Sequence, residues 1–139
     1  MSEKNHARTK AAASFSVKSW DEKPYQEYGE ERKLTQAHVE QVYQGDLTGE
    51  SVVKYLMSYS PRGASFVGIE FVTGALGGRE GSFVLQHTGV DDGNGTRSQF
   101  FIVPGSGTGG FESLRGEGSF LLSGHADSYP ITLEYWFEG

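Results

Sequence analysis

Glu70 and His87 are the residues of this 139-residue chain most readily given a chemical task. They lie in "SFVGIEFVTGAL" and "REGSFVLQHTGV", two stretches that alternate in period two around Gly77-Gly78, the glycine pair of a two-residue primed hairpin turn. If Leu76 pairs with Arg79, Glu70 stands opposite Leu85 and Gly68 opposite His87, so Glu70 and His87 are diagonal neighbours on one face. That face also carries Phe66, Val72, Phe83 and Leu85, whereas the other is richer in Ser and Thr, so the Glu70 face is read as interior. Through the turn "SPRGA", Lys54 would stand opposite Glu70. A carboxylate in an aromatic interior beside an imidazole or ammonium group is a candidate general base for proton transfer or isomerisation. A buried pair whose members satisfy each other is the competing reading.

The elements that must position these groups are strands. In "AAASFSVKSW" the odd positions Ala11, Ala13, Phe15 and Val17 are apolar between polar neighbours, the pattern of a strand with one buried face. Further strands are expected over about 34–44 (Ala37, Val39 and Tyr43 on one face), 50–59, 65–73, 80–89, 96–103, 116–123 and 129–138, and no amphipathic helix of ten residues is found. Residues 21–33, "DEKPYQEYGEERK", suit a long surface loop, and residues 1–9 a disordered tail before a single domain over 10–139. Eight antiparallel strands in a chain with 20 Gly, 9 Phe and 7 Tyr predict an all-β fold, an eight-stranded barrel that removes sheet edges and can hold one small ligand. A two-sheet sandwich is the alternative.

In that barrel Tyr43, Phe66, Phe83, Leu85, Phe100 and Tyr135 are expected to line the lumen and meet a ligand. Tyr55, Met57 and Tyr59 are expected outside, where they join Val67, Ile69 and Phe71 in an apolar patch that a second subunit would cover.

Other chemistries find little support. A net charge of −6 disfavours a nucleic-acid partner, which calls for a basic stripe. The absence of cysteine removes disulfides, thiolate metal sites and a cysteine nucleophile. The four histidines, His6, His38, His87 and His125, lack metal-ligand spacing, and no metal or cofactor is expected. No apolar run reaches a membrane span and the polar N-terminus lacks a secretion signal, so a cytoplasmic location is expected. "VPGSGTGGFESLRGEGSF" contains a literal G-x-G-x-x-G at Gly105, Gly107 and Gly110. A phosphate cradle must open a helix, and here only "FESLR" separates Gly110 from Gly116, so the glycines are read as a wide turn.

Two resemblances follow from quoted segments. "GSGTGGFESLRGEGSF" resembles the turn-and-return segment of the allene oxide cyclase and dirigent barrels. Across nearly the whole chain, "FSVKSWDEKPY", "GDLTGE", "YLMSY", "ASFVGIE", "GSFVLQHTG", "VPGSGTG" and "LRGEGSF" resemble, in order, a family of small bacterial proteins, domain of unknown function 3224. That resemblance implies an eight-stranded allene-oxide-cyclase-like barrel, usually oligomeric, without an established activity. Three functions are carried forward. The first is a module binding a small, mostly apolar ligand in the lumen. The second is an isomerase, cyclase or proton-transfer enzyme with Glu70 as base beside His87 or Lys54. The third is a structural oligomeric module without ligand.

Overall fold

A computed structural model describes residues 7–124 and 126–138. Its strands are β1 (Thr9–Gly29), β2 (Arg32–Gly45), β3 (Leu47–Ser60), β4 (Gly63–Leu76), β5 (Arg79–Asp91), β6 (Thr96–Ile102), β7 (Thr108–Gly109), β8 (Leu114–Leu122) and β9 (Tyr129–Phe137). Eight of them form one antiparallel ring in the order β1, β2, β3, β4, β5, β6, β8, β9, closed by the pairing of β9 with β1. The short β7 adds to β5 at Gly81 and Ser82. The expected all-β barrel is therefore present. Of the segment read as a tail, residues 1–6 lie outside the described residues; Arg8 is bonded to Glu117 and Glu134, and Thr9 opens β1.

Residues 21–33 are not a loop. They form the tip of a β1–β2 ribbon that turns at Glu30-Glu31. Lys18, Tyr25 and Tyr28 are each skipped in the pairing with β2, and every such bulge shifts which residues face inward. Alternation is thereby broken three times within a dozen residues, so a charged strand reads as irregular chain. Ahead of Lys18 the inward residues are Ala11, Ala13, Phe15 and Val17; beyond it they are Trp20 and Glu22, paired with Val39 and Ala37.

The β4–β5 register is the expected one, with Glu70 opposite Leu85 and Gly68 opposite His87. Across the preceding turn the expectation is corrected. Ser60 pairs with Gly63, leaving only Pro61 and Arg62 in the turn, so Val53 stands opposite Glu70 and Lys54 opposite Ile69. A slip of one residue reverses every side chain of a strand. Lys54 therefore points outward into solvent, while Tyr55 is buried and Met57 and Tyr59 are half-buried on the inner side. Val67, Ile69 and Phe71 do face outward, 52%, 51% and 51% exposed, joined by Val52 and Leu56 of β3 instead of the three residues expected there.

Inside the ring, the end around Leu47, Leu76, Phe83, Phe111 and Leu114 is filled by a continuous apolar cluster. A smaller cluster of Ala37, Val39, Val53, Tyr55 and Phe66 lies toward the other end. The glycine-rich segment belongs to the filled end, which it crosses to insert the fully buried ring of Phe111. At Gly107 a Cβ would lie 1.7 Å from the Phe111 carbonyl oxygen, so only glycine fits there. The amides of Ser106, Gly110 and Phe111 donate to the carbonyls of Val103, Glu80 and Thr108. These N–H groups are used inside the protein, and none of the three is free to cradle a phosphate.

Candidate functional site

Two polar constellations occupy the inner face, one closed and one open. The closed one is centred on Glu70, which is 1% exposed. Its Oε2 accepts hydrogen bonds from the hydroxyls of Tyr43 and Ser51, both at 2.6 Å. Its Oε1 accepts from His87 Nε2, also at 2.6 Å. This all-donor surround suits an acceptor-only carboxylate. Burial first, and then the neighbouring Glu70 charge, raise the Tyr43 and Tyr55 hydroxyls well above the usual phenol range. Rings of Phe100, Tyr55 and Phe120 pack around His87 with centroids 5.2, 5.9 and 6.2 Å away. Tyr55 can lie across β4 only because its partner is Gly68, where a Cβ would come within 2.5 Å of that ring.

The open constellation is the mouth of the barrel at the unfilled end. A cavity of about 950 Å³ is walled by Trp20, Tyr55, Phe66, Phe120 and Tyr129, with Asp91 and Asp127 also in its lining. Trp20 stacks on Tyr55 (centroids 6.1 Å apart, planes 26° apart), and Tyr55 meets Phe66 edge to face at 5.3 Å. Gln41 also lines this cavity. It is only 4% exposed, and among the described residues no protein group hydrogen-bonds its side-chain amide, an uncommon state for a buried polar group.

Glu22 holds the wall. Tyr59 OH, Thr35 Oγ1 and Trp20 Nε1 donate to its carboxylate at 2.5, 2.6 and 2.9 Å. Partial burial works to raise the Glu22 carboxyl, but the bonds from Thr35, Tyr59 and Trp20 outweigh it and hold the group below the usual carboxylate range. Burial, the bond to Glu22 and the charges of Glu22 and Asp91 raise the Tyr59 hydroxyl. A carboxyl lowered on folding adds stability that is fully present above its unfolded value, about 4.3, and is lost as pH falls through the lower folded value. In a Trp136→Phe background, Trp20 emission should therefore change below about pH 4 as the clamp releases. Glu22→Gln should abolish that acid transition; persistence of the transition in this variant would assign it to another group.

The structure separates the residues expected to share one site. Tyr43, Glu70 and His87 meet, but none of their side chains lines the mouth cavity. Phe83, Leu85, Phe100 and Tyr135 pack in the larger core, and Phe66 alone of the expected ligand-lining residues reaches the cavity. Lys54 is on the outside, so it is no partner of Glu70. Trp20, Gln41, Tyr55 and Tyr59 were not expected in the lining. Gln41 had a legible signal, since it shares parity with Val39 and Tyr43. A second hollow of similar volume lies on the outer face of β5, β6, β8, β9 and β1, and its polar lining, such as Gln86, Gln99, Glu117 and Ser119, is exposed.

Among the described residues no three His, Asp or Glu side chains are grouped to hold a metal ion; His6 and His125 lie outside those residues. No described helix is long and apolar enough to cross a membrane.

Comparison with known proteins adds a family. The family model described as "Protein of unknown function (DUF3224)" matches residues 11–135. A crystal structure of a protein with unknown function from the DUF3224 family of Shewanella oneidensis MR-1 is similar, with 28% identity and a TM-score of 0.75 over 96% of this chain and 100% of that one. No curated protein matches the chain.

Proposed function

The chain belongs to the DUF3224 family, proteins of unknown function, and from that premise we propose that it is a binding module that takes a small, mostly apolar molecule into the aromatic mouth of its barrel. The observation that carries this reading is Gln41, a buried amide that has no hydrogen-bond partner among the described residues and lines a cavity walled largely by aromatic rings. Ligand sites are typically hydrophobic and aromatic, of about 300–1,000 Å³, with a few polar groups that fix orientation. The cavity's about 950 Å³ is at the roomy end of that range.

The enzyme reading is weaker on the same geometry. A general base must come within hydrogen-bond reach of the proton it takes. Both oxygens of Glu70 are engaged by Tyr43, Ser51 and His87, the group is 1% exposed, and the rings of Tyr55 and Phe120, which line the cavity, pack against His87.

The neutral fluorescent probe N-phenyl-1-naphthylamine tests the binding reading. Saturable enhancement is expected with the wild-type protein. It should be lost in Ala64→Trp, which projects a ring into the mouth from a position that already lines it. Absence of saturable binding, or equal binding by Ala64→Trp, would overturn the proposal. Gln41→Leu should unfold at higher urea, gaining about 1 kcal/mol, because a buried polar group without a partner carries its full desolvation cost. A loss of stability would show instead that the amide is structurally satisfied.

A further inference from the structure

Resting on that reading, we infer that the molecule taken up at the mouth is an organic cation, an apolar or aromatic body carrying an ammonium-type group. Every charged side chain among the described residues lining the cavity is a carboxylate, Asp91 or Asp127, and no Lys or Arg lines it. A third carboxylate, Glu22, is bonded to two of the lining residues, Trp20 and Tyr59, and so lies directly behind the wall. The wall itself is built of Trp, Tyr and Phe rings, whose negative faces attract cations, Trp most strongly.

Gln41 supplies the independent sign of a ligand. It is nine-tenths buried or more, unpartnered among the described side chains, and set in the cavity beside the rings. Its carbonyl can accept a hydrogen bond from a protonated amine, and its NH₂ can donate to a hydroxyl or carbonyl elsewhere on the same molecule. An anionic ligand would meet two carboxylates in the lining, a third behind it whose charge Lys33 partly offsets, and no lining Lys or Arg among the described residues. The chain's net charge of −6 adds long-range attraction for cations.

Competitive displacement of N-phenyl-1-naphthylamine by benzyltrimethylammonium, 2-phenylethanol and phenylacetate tests the inference on the full chain. The ammonium is expected to bind at least about tenfold more tightly than the alcohol, with phenylacetate weakest, and raising salt from about 0.01 M to about 1 M should compress the order. Asp91→Asn/Asp127→Asn should bring the ammonium-to-alcohol ratio close to one. Glu117→Gln/Glu134→Gln, an equal change of charge on the outer face, should leave it as in wild type. Equal affinities for ammonium and alcohol, a tighter phenylacetate, or equal effects of the two double variants would overturn the cation inference while leaving the binding reading in place. Failure of N-phenyl-1-naphthylamine itself to bind would overturn both.

Discussion

Replacing Glu70 by alanine is expected to destabilise the protein by about 3–5 kcal/mol, the usual cost of removing one member of a buried, hydrogen-bonded charge set. Three groups lose a partner at once: the hydroxyls of Tyr43 and Ser51 and Nε2 of the His87 ring, whose Nδ1 keeps Ser98 Oγ at 3.4 Å. None can turn to water, because Tyr43, Ser51 and His87 are all buried. Urea unfolding should show a lower midpoint with little change in slope, since the surface exposed on unfolding is nearly the same. Glu70→Gln keeps the volume and one carbonyl acceptor but opposes an NH₂ to the His87 N–H, so a smaller loss of about 1–3 kcal/mol is expected. A cycle combining Glu70→Gln with His87→Phe should return a coupling of about 0.5–3 kcal/mol. A cost below about 1 kcal/mol for Glu70→Ala would refute the structural role, because surface-like tolerance is incompatible with three buried hydrogen bonds lost together.

How much of this was legible in the sequence depended on whether a strand kept its parity. The β4–β5 hairpin did, because Gly77-Gly78 forms a two-residue turn with positive φ at both positions, which pairs Leu76 with Arg79, and the Glu70–His87 meeting follows from it. The β3–β4 connection did not, because "SPRGA" accommodates turns differing by one residue, and that difference exchanged Lys54 for Val53 opposite Glu70. With it goes the placement of Tyr55, Met57 and Tyr59, which line the inner wall where one-residue-shifted pairing would put them in an outer patch. Trp20 and Glu22 were hidden by the bulge at Lys18, which alternation cannot reveal because the inner face of β1 beyond it sets a carboxylate, Glu22, beside Trp20 where an apolar run would be expected. Family resemblance supplied the barrel but not the site, since a fold fixes where strands lie and a site depends on individual side chains. The parity of Gln41 is readable from sequence, but what singles it out among the inward residues of β2 is the lack of a hydrogen-bond partner among the described residues, which only the structure shows.

Phe111→Ala is expected to cost about 3–5 kcal/mol, the range for removing a fully buried aromatic ring, yet to leave N-phenyl-1-naphthylamine binding unchanged. The ring is completely inaccessible, meets Phe83 edge to face at 5.3 Å, and belongs to the cluster that fills one end of the barrel. It is delivered there by the same glycine-rich segment whose spacing imitates a phosphate loop. In that segment Gly107 allows the backbone to pass beside the Phe111 carbonyl, and the result is a stopper. The barrel is consequently a cup, closed by Phe111 and its neighbours and open at Trp20 and Tyr129. Urea unfolding and probe titration on the same variant separate the two halves. If binding weakened in step with stability, the lumen would have to be one continuous space from the mouth to Phe111. If binding is untouched, the filled end is scaffold, and ligand chemistry is confined to the aromatic wall, Gln41 and the acidic residues of the mouth.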